Sequence, residues 1–171
     1  RSYPLSPPAR LPVVRFCEQK SVYGTKGEVP DDDQVEELGT AKIVRSGDDV
    51  TILALAAMVP KALAAADILA AEDGIGATVI DLRSLVPLDT KTILAEVSRT
   101  GRVVTVEENP RLCGWGAELS SIIAEEIFYD LDMPIVRITT PHVPPPAADD
   151  PEDHAIPSVQ RIAEPIRRDV D

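Results

Sequence analysis

Ala77-Thr78-Val79-Ile80-Asp81-Leu82 and Arg102-Val103-Val104-Thr105-Val106-Glu107 are the runs whose reading decides the fold. Both are almost continuously apolar, the pattern of strands covered on two faces rather than one. Between them Asp89 stands where an N-cap is needed, Ile93, Leu94 and Val97 recur at helical spacing, and Gly101 supplies a stop. Strand, helix and strand in that order make a βαβ unit with parallel strands.

The same alternation continues outward. Upstream, Val50-Thr51-Ile52-Leu53-Ala54-Leu55 is a further apolar run. A helix follows it, with Pro60 in the first turn, Val59, Leu63, Ala66, Leu69 and Ala70 on one face, and Gly74 at the end. Downstream, Gly116 opens a helix bearing Leu119, Ile122, Ile123 and Ile127, and Pro134 to Thr139 reads as a strand. A last helix from about Ser158 carries Val159, Ile162 and Ile166, with Pro165 as a kink. Ala41 to Arg45 reads as the first strand. Ser46-Gly47-Asp48-Asp49 is a tight turn whose length predicts antiparallel neighbours. The expected fold class is α/β, a three-layer α/β/α sandwich on a mixed five-stranded sheet with the first strand antiparallel.

Composition sets the outer bounds. The 171 residues carry 17 Lys and Arg against 29 Asp and Glu, a net charge of −12. That sign argues against nucleic acid, whose binding depends on neutralising phosphates, and against an anionic membrane surface. No apolar stretch is long enough for a membrane span, and the start of the chain has no export pattern, so a cytoplasmic setting is expected. Cys17 and Cys113 are too few for a disulfide framework. Of the 16 prolines, four fall in the first twelve residues and six between Pro134 and Pro151, against three from Asp31 to Met133. The middle is therefore the regular core, and residues 1–10 are expected to lack regular structure. Leu11 to Cys17 looks like a strand with no neighbour in this chain. That strand, and Arg1 in place of an initiator Met, lead us to expect a chain cut from something longer.

In open α/β sheets ligands gather beyond the carboxyl ends of the strands. That edge is expected to carry Arg83, the Glu107-Glu108-Asn109 run, and Thr139-Thr140-Pro141-His142. No nucleophile–base pair stands at a telling spacing there. A subunit contact, or ordinary loop polarity with an Arg83–Glu107 salt bridge, is preferred to a catalytic crevice. Gly114-Trp115-Gly116 has Leu119 where a dinucleotide fingerprint needs a third glycine, so close packing of helix on sheet is expected. Trp115 is either a core anchor or an interface hot spot. His142 and His154 lack a metal-site pattern, and Gly24 to Gly27 is no phosphate loop. Asp149 and Asp150 open an acidic, proline-flanked segment that reads as a solvated connector or a steering surface for a basic partner.

Several stretches are recognisable together: Phe16 to Gly24, Val79 to Asp89, Thr100 to Glu108, Gly114-x-Gly116-Ala117-Glu118, and Ile156 to Val159. In order and spacing they resemble the β subunit of the thiamine-diphosphate-dependent 2-oxo acid dehydrogenases. These are the decarboxylating components of the pyruvate and branched-chain 2-oxo acid dehydrogenase complexes. The resemblance implies a transketolase C-terminal-domain-like fold for residues 41–171. It also implies a remnant of a preceding pyrimidine-binding domain at 1–24 and a linker at 25–40. The glutamate that activates the cofactor belongs to the pyrimidine-binding domain, and the diphosphate- and magnesium-binding motif belongs to the α subunit. No catalytic, cofactor-binding or metal-binding residue is therefore carried over, and thiamine diphosphate and Mg are expected only in the intact assembly. Where relatives usually have a glycine and an aspartate before Pro144, this chain has Thr140-Pro141-His142-Val143.

The resemblance thus implies an assembly domain without catalytic residues of its own, supporting oxidative decarboxylation of a 2-oxo acid and acyl transfer to a lipoyl-bearing acyltransferase, and expected to be silent when isolated. Its implied partners are a second copy of itself, the dehydrogenase α subunit, and the subunit-binding module of the acyltransferase. The interface residues expected are Arg83, Glu107, Trp115, His142, Asp149 and Asp150. Two alternatives stand beside it. One is the equivalent domain of another transketolase relative such as 1-deoxyxylulose-5-phosphate synthase. The other is a free-standing acidic protein-binding module.

Overall fold

The computed structural model describes residues 15–20, 23–24, 26, 37–142 and 155–170. Its strands are β1 (Lys42–Arg45), β2 (Val50–Ala54), β3 (Ala77–Asp81), β4 (Val103–Pro110) and β5 (Val136–Thr140). Its helices are α1 (Met58–Glu72), α2 (Thr90–Thr100), α3 (Trp115–Glu126) and α4 (Val159–Val170), with a 3₁₀ turn at Phe128–Asp130. Together they form one five-stranded sheet in the order β1-β3-β2-β4-β5. β2, β3, β4 and β5 run parallel, and β1 is antiparallel to β3.

The sheet divides two apolar layers. Ile52, Ala54, Val79, Val104 and Val106 point to the side covered by α1 and α4, where they meet Ala62, Leu69, Ile162 and Ile166. Leu53, Ile80 and Val103 point to the opposite side and meet Ile93 and Val97 of α2 and Leu119 and Ile123 of α3. Every residue of β2 is buried, as a central strand with helices on both faces requires. The expected α/β/α sandwich is therefore present.

One connection departs from expectation. The four residues between β1 and β2 do not close a hairpin, because β3 lies between the two strands. A gap of two strand spacings is about 10 Å, which four residues can span. The turn crosses directly over the start of β3: a Cβ on Gly47 would lie 2.4 Å from the Gly76 carbonyl carbon. The crossing is pinned there. Asp49 accepts from the Gly76 N–H at 2.6 Å, and the Thr78 hydroxyl donates to the Gly47 carbonyl at 2.6 Å. Arg99 of α2 donates to the same carbonyl at 2.7 Å. Burial explains the order. β3 is buried in all but its last position and suits the interior, whereas Lys42 and Ile43 of β1 are exposed and suit an edge.

The helix boundaries follow local chemistry. Asp89 caps α2 by accepting from the Thr92 N–H at 3.1 Å, and its other oxygen accepts from the Ala41 N–H at 3.0 Å. A single carboxylate thus ties the approach to β1 onto the start of α2. Gly101 ends α2 at φ +68. Pro165 lies inside α4, as expected. Arg15, Phe16 and Cys17 are exposed and not in a strand, which corrects part of the strand expected at 11–17. Residues 1–14 and the acidic segment with Asp149 and Asp150 lie outside the described residues.

Candidate functional site

Parallel strands place the loops after β2, β3, β4 and β5 on one edge of the sheet. Glu107 sits at that edge near the end of β4. It is fully buried, the one acidic side chain among the buried described residues. Thr105 and Glu107 are two apart in β4 and share a face, and Thr105 is in register with Arg137 of β5. The strand register therefore delivers the guanidinium to the carboxylate. Arg137 donates from Nε to Oε1 at 2.8 Å and from Nη2 to Oε2 at 3.0 Å.

Three further donors complete the cluster. The Thr105 hydroxyl donates to Oε1 at 3.0 Å, and the Asn109 amide and the Gly116 N–H donate to Oε2 at 3.0 Å each. Burial pushes the Glu107 carboxyl up, but the Arg137 guanidinium, the Asn109 amide, the Gly116 N–H and the Thr105 hydroxyl outweigh it. The acid is held below its ordinary value and stays ionised. Arg137 extends the network by donating to the Arg111 carbonyl at 3.0 Å. Gly116 is needed at its position, since a Cβ there would lie 2.2 Å from Glu107 Oε1. The close packing expected of this glycine is therefore observed, with a carboxylate as the neighbour.

Arg83 is not the partner of Glu107. It is exposed after β3, at φ +57, and its N–H donates to Asp81 Oδ1 at 3.1 Å. The salt bridge expected between Arg83 and Glu107 is replaced by Arg137–Glu107, because β5 rather than β3 lies beside that side of β4. Glu107 also has no surface to offer a partner, so the contact role expected of it is corrected. It holds the loop after β4 from beneath. Trp115 is half-buried against the α2/α3 layer, and His142 is exposed just beyond β5. Sequence reading passed over Arg137. The available signal was a pair of opposite charges embedded in two apolar strands, which burial forces to find each other.

The edge has a common backbone feature. Ala56, Arg83 and Cys113 are the non-glycine residues with positive φ among the described residues, and they follow β2, β3 and β4 respectively. These three strands are adjacent in the sheet. Around them Val86 and Leu112 are 87% and 67% exposed. Sharply turned backbone and exposed apolar side chains thus occur together along this edge.

The polar groups of the Glu107 cluster are already engaged with one another. The Gly116 N–H at the start of α3 already donates to Glu107, and both oxygens of that acid are occupied. Among the described residues no group of three or more His, Cys, Asp or Glu side chains is placed to hold a metal ion. Among them, too, no helix is long and apolar enough to cross a membrane.

Fold and edge together define a doubly covered, mostly parallel α/β domain, and residues 39–162 match the family Transketolase, C-terminal domain, to which the chain belongs. It is 43% identical over 157 residues to the beta subunit of acetoin:2,6-dichlorophenolindophenol oxidoreductase from Cupriavidus necator, covering 92% of this chain and 46% of the relative. It is 42% identical over 157 residues to the beta subunit of the pyruvate dehydrogenase E1 component from Leifsonia xyli, with the same coverage of 92% and 46%. Against the 2-oxoisovalerate dehydrogenase subunit beta of Bacillus subtilis the identity is 42% over 132 residues, covering 77% and 40%. Among solved structures, a split-gene transketolase described as an inactive beta4 tetramer aligns with a TM-score of 0.70 at 30% identity. That alignment covers 84% of this chain and 45% of the other. The chain thus spans less than half the length of these relatives.

Proposed function

We propose that this chain is the C-terminal assembly domain of the β subunit of a thiamine-diphosphate-dependent dehydrogenase acting on a 2-oxo acid. The observation that carries the reading is the buried Glu107–Arg137 cluster. The carboxylate at the edge where an α/β sheet usually works holds five internal hydrogen bonds and is turned to shaping a loop. Similarity to the beta subunits of pyruvate and 2-oxoisovalerate dehydrogenases supports the class of enzyme.

On this reading residues 1–24 continue a pyrimidine-binding domain, residues 25–40 are a linker, and 41–171 are the assembly domain. Its partners are a second copy, the dehydrogenase α subunit, and the subunit-binding module of an acyltransferase that receives the acyl group. Arg83, Trp115 and His142 stand at or beside the contact edge, and Asp149 and Asp150 attract the basic module. Thiamine diphosphate and magnesium are bound elsewhere in the assembly. Exposed free thiols at Cys17 and Cys113 support a reducing compartment, for which we propose the cytoplasm.

Stopped-flow mixing of the chain with the subunit-binding module tests the docking. The association rate is expected to fall steeply as salt shortens the Debye length from about 10 Å at 0.1 M to about 3 Å at 1 M. Neutralising Asp149, Asp150, Glu152 and Asp153 together is expected to slow association by up to about tenfold, with dissociation changed less. Rates indifferent to salt and to the neutralisation overturn the acidic docking surface. Calorimetric titration with thiamine diphosphate and magnesium is expected to show dilution heat alone. A saturable isotherm overturns the assignment of the cofactor to other chains.

A further inference from the structure

A second surface lies away from the carboxyl edge, where α3 ends and the 3₁₀ turn Phe128–Asp130 begins. There Ala124, Glu126, Ile127, Phe128, Tyr129 and Asp130 line an open hollow of about 410 Å³. Tyr129 is 97% exposed and Phe128 61%, and their rings meet edge to face with centroids 5.5 Å apart. Two aromatic side chains held in one arrangement and left in water are unusual on a surface.

The charge around them has one sign. Glu125 and Glu126 stand in the last turn of α3, which contains no basic residue, and Asp130 and Asp132 follow directly. The carboxyl end of a helix already carries partial negative charge, so these acids add to its potential instead of relieving it. Asp130 accepts from the neutral Ser98 hydroxyl. Among the described residues, no Lys or Arg pairs with any of the four acids. Arg99, on the neighbouring helix, is engaged by Glu96, Asp48 and the Gly47 carbonyl. Exposed π faces and unrelieved carboxylates share one requirement, a cation that also brings apolar surface.

We propose that this hollow is a docking site for a basic segment of another protein, which lays arginine or lysine side chains across Tyr129 and Phe128 while their charged ends meet Glu125, Glu126 and Asp130. Charge complementarity selects this occupant. A second copy of the chain would set acid against acid, and an anionic lipid surface or nucleic acid would be repelled. The site is separate from the carboxyl edge and does not depend on the assembly role.

The test uses the full 171-residue chain and a fluorescein-labelled peptide of alternating arginine and alanine, with anisotropy read at about 0.15 M salt. Phe128→Ser/Tyr129→Ser, which removes exposed groups and keeps every charge, is expected to weaken binding by about fivefold or more. Glu125→Gln/Glu126→Gln is expected to do the same. Glu37→Gln/Glu164→Gln neutralises two exposed acids elsewhere, and it is expected to change the affinity by less than about twofold. Unchanged thermal midpoints confirm that the variants fold. The proposal is overturned if the peptide fails to bind, if the aromatic variant binds as the parent does, or if the remote neutralisation weakens binding as much as the local one.

Discussion

Arg137 on β5 grips both oxygens of Glu107 on β4, from Nε at 2.8 Å and from Nη2 at 3.0 Å, with the carboxylate fully buried. The same guanidinium reaches the Arg111 carbonyl. One ion pair thus joins two strands and fixes the loop that leads into α3. A buried pair of this kind contributes little over an apolar replacement of both partners, yet losing one partner strands the other.

Arg137→Met should therefore be costly, by about 3–5 kcal/mol in chemical denaturation, because Glu107 would remain as a buried charge without its counter-ion. Adding Glu107→Gln to that variant should recover part of the loss, since the amide carries no charge. A double variant no more stable than Arg137→Met alone would show that the charge of Glu107 is not what the guanidinium offsets.

The pH dependence has a definite sign. Burial raises the Glu107 carboxyl, while Arg137, Asn109, Gly116 and Thr105 together lower it by more, so the folded value lies below the ordinary 4.5. A depressed acid contributes its full stability above the unfolded value and loses it as pH falls through the folded one. Stability should decline from about pH 4.5 downward, and Glu107→Gln should flatten that acid limb. Asp81 acts in the opposite sense. Burial raises its carboxyl against the opposing pull of the Arg83 N–H and the Arg83 and Lys42 charges. Asp81→Asn should leave the Glu107-dependent loss in place.

Two glycine substitutions should separate crowding from backbone conformation. Gly116→Ala puts a Cβ 2.2 Å from Glu107 Oε1 and 2.7 Å from its carboxyl carbon, so the whole cluster must shift. A loss of about 3 kcal/mol or more is expected in calorimetry, the upper end for overpacking. Gly74→Ala meets nothing within 4 Å but must adopt φ +71. Its cost should be about 1–2 kcal/mol, from conformation alone.

Asp89→Ala removes a helix cap and the acceptor of the Ala41 N–H together. A loss of about 1–2 kcal/mol is expected. Hydrogen exchange should quicken in the first turn of α2 and also at Ala41. Faster exchange confined to α2 would show that the bond to Ala41 is not maintained in solution.

Much of the fold was legible in order along the chain. Apolar runs such as Val50 to Ala54 and Ala77 to Asp81, a cap at Asp89 and a stop at Gly101 each report on a residue's immediate surroundings, and sequence carries that information directly. Family membership was legible too, because the recognisable stretches keep the order and spacing seen in the dehydrogenase β subunits. Pairings were harder. Ser46 to Asp49 has the length of a hairpin turn, and nothing local shows that Gly47 lies against Gly76 with β3 passing beneath.

Residue order along the chain marks out the five strands of the sheet and the helices α1 to α4 that cover its two faces, and it places Glu107 at the carboxyl edge. Long-range packing sets β3 between β1 and β2, and pairs Glu107 with Arg137 and not with Arg83. The reason is physical. Hydrophobic periodicity depends on neighbours a few residues away, whereas strand order and the partner of a buried charge depend on which distant segments best cover one another.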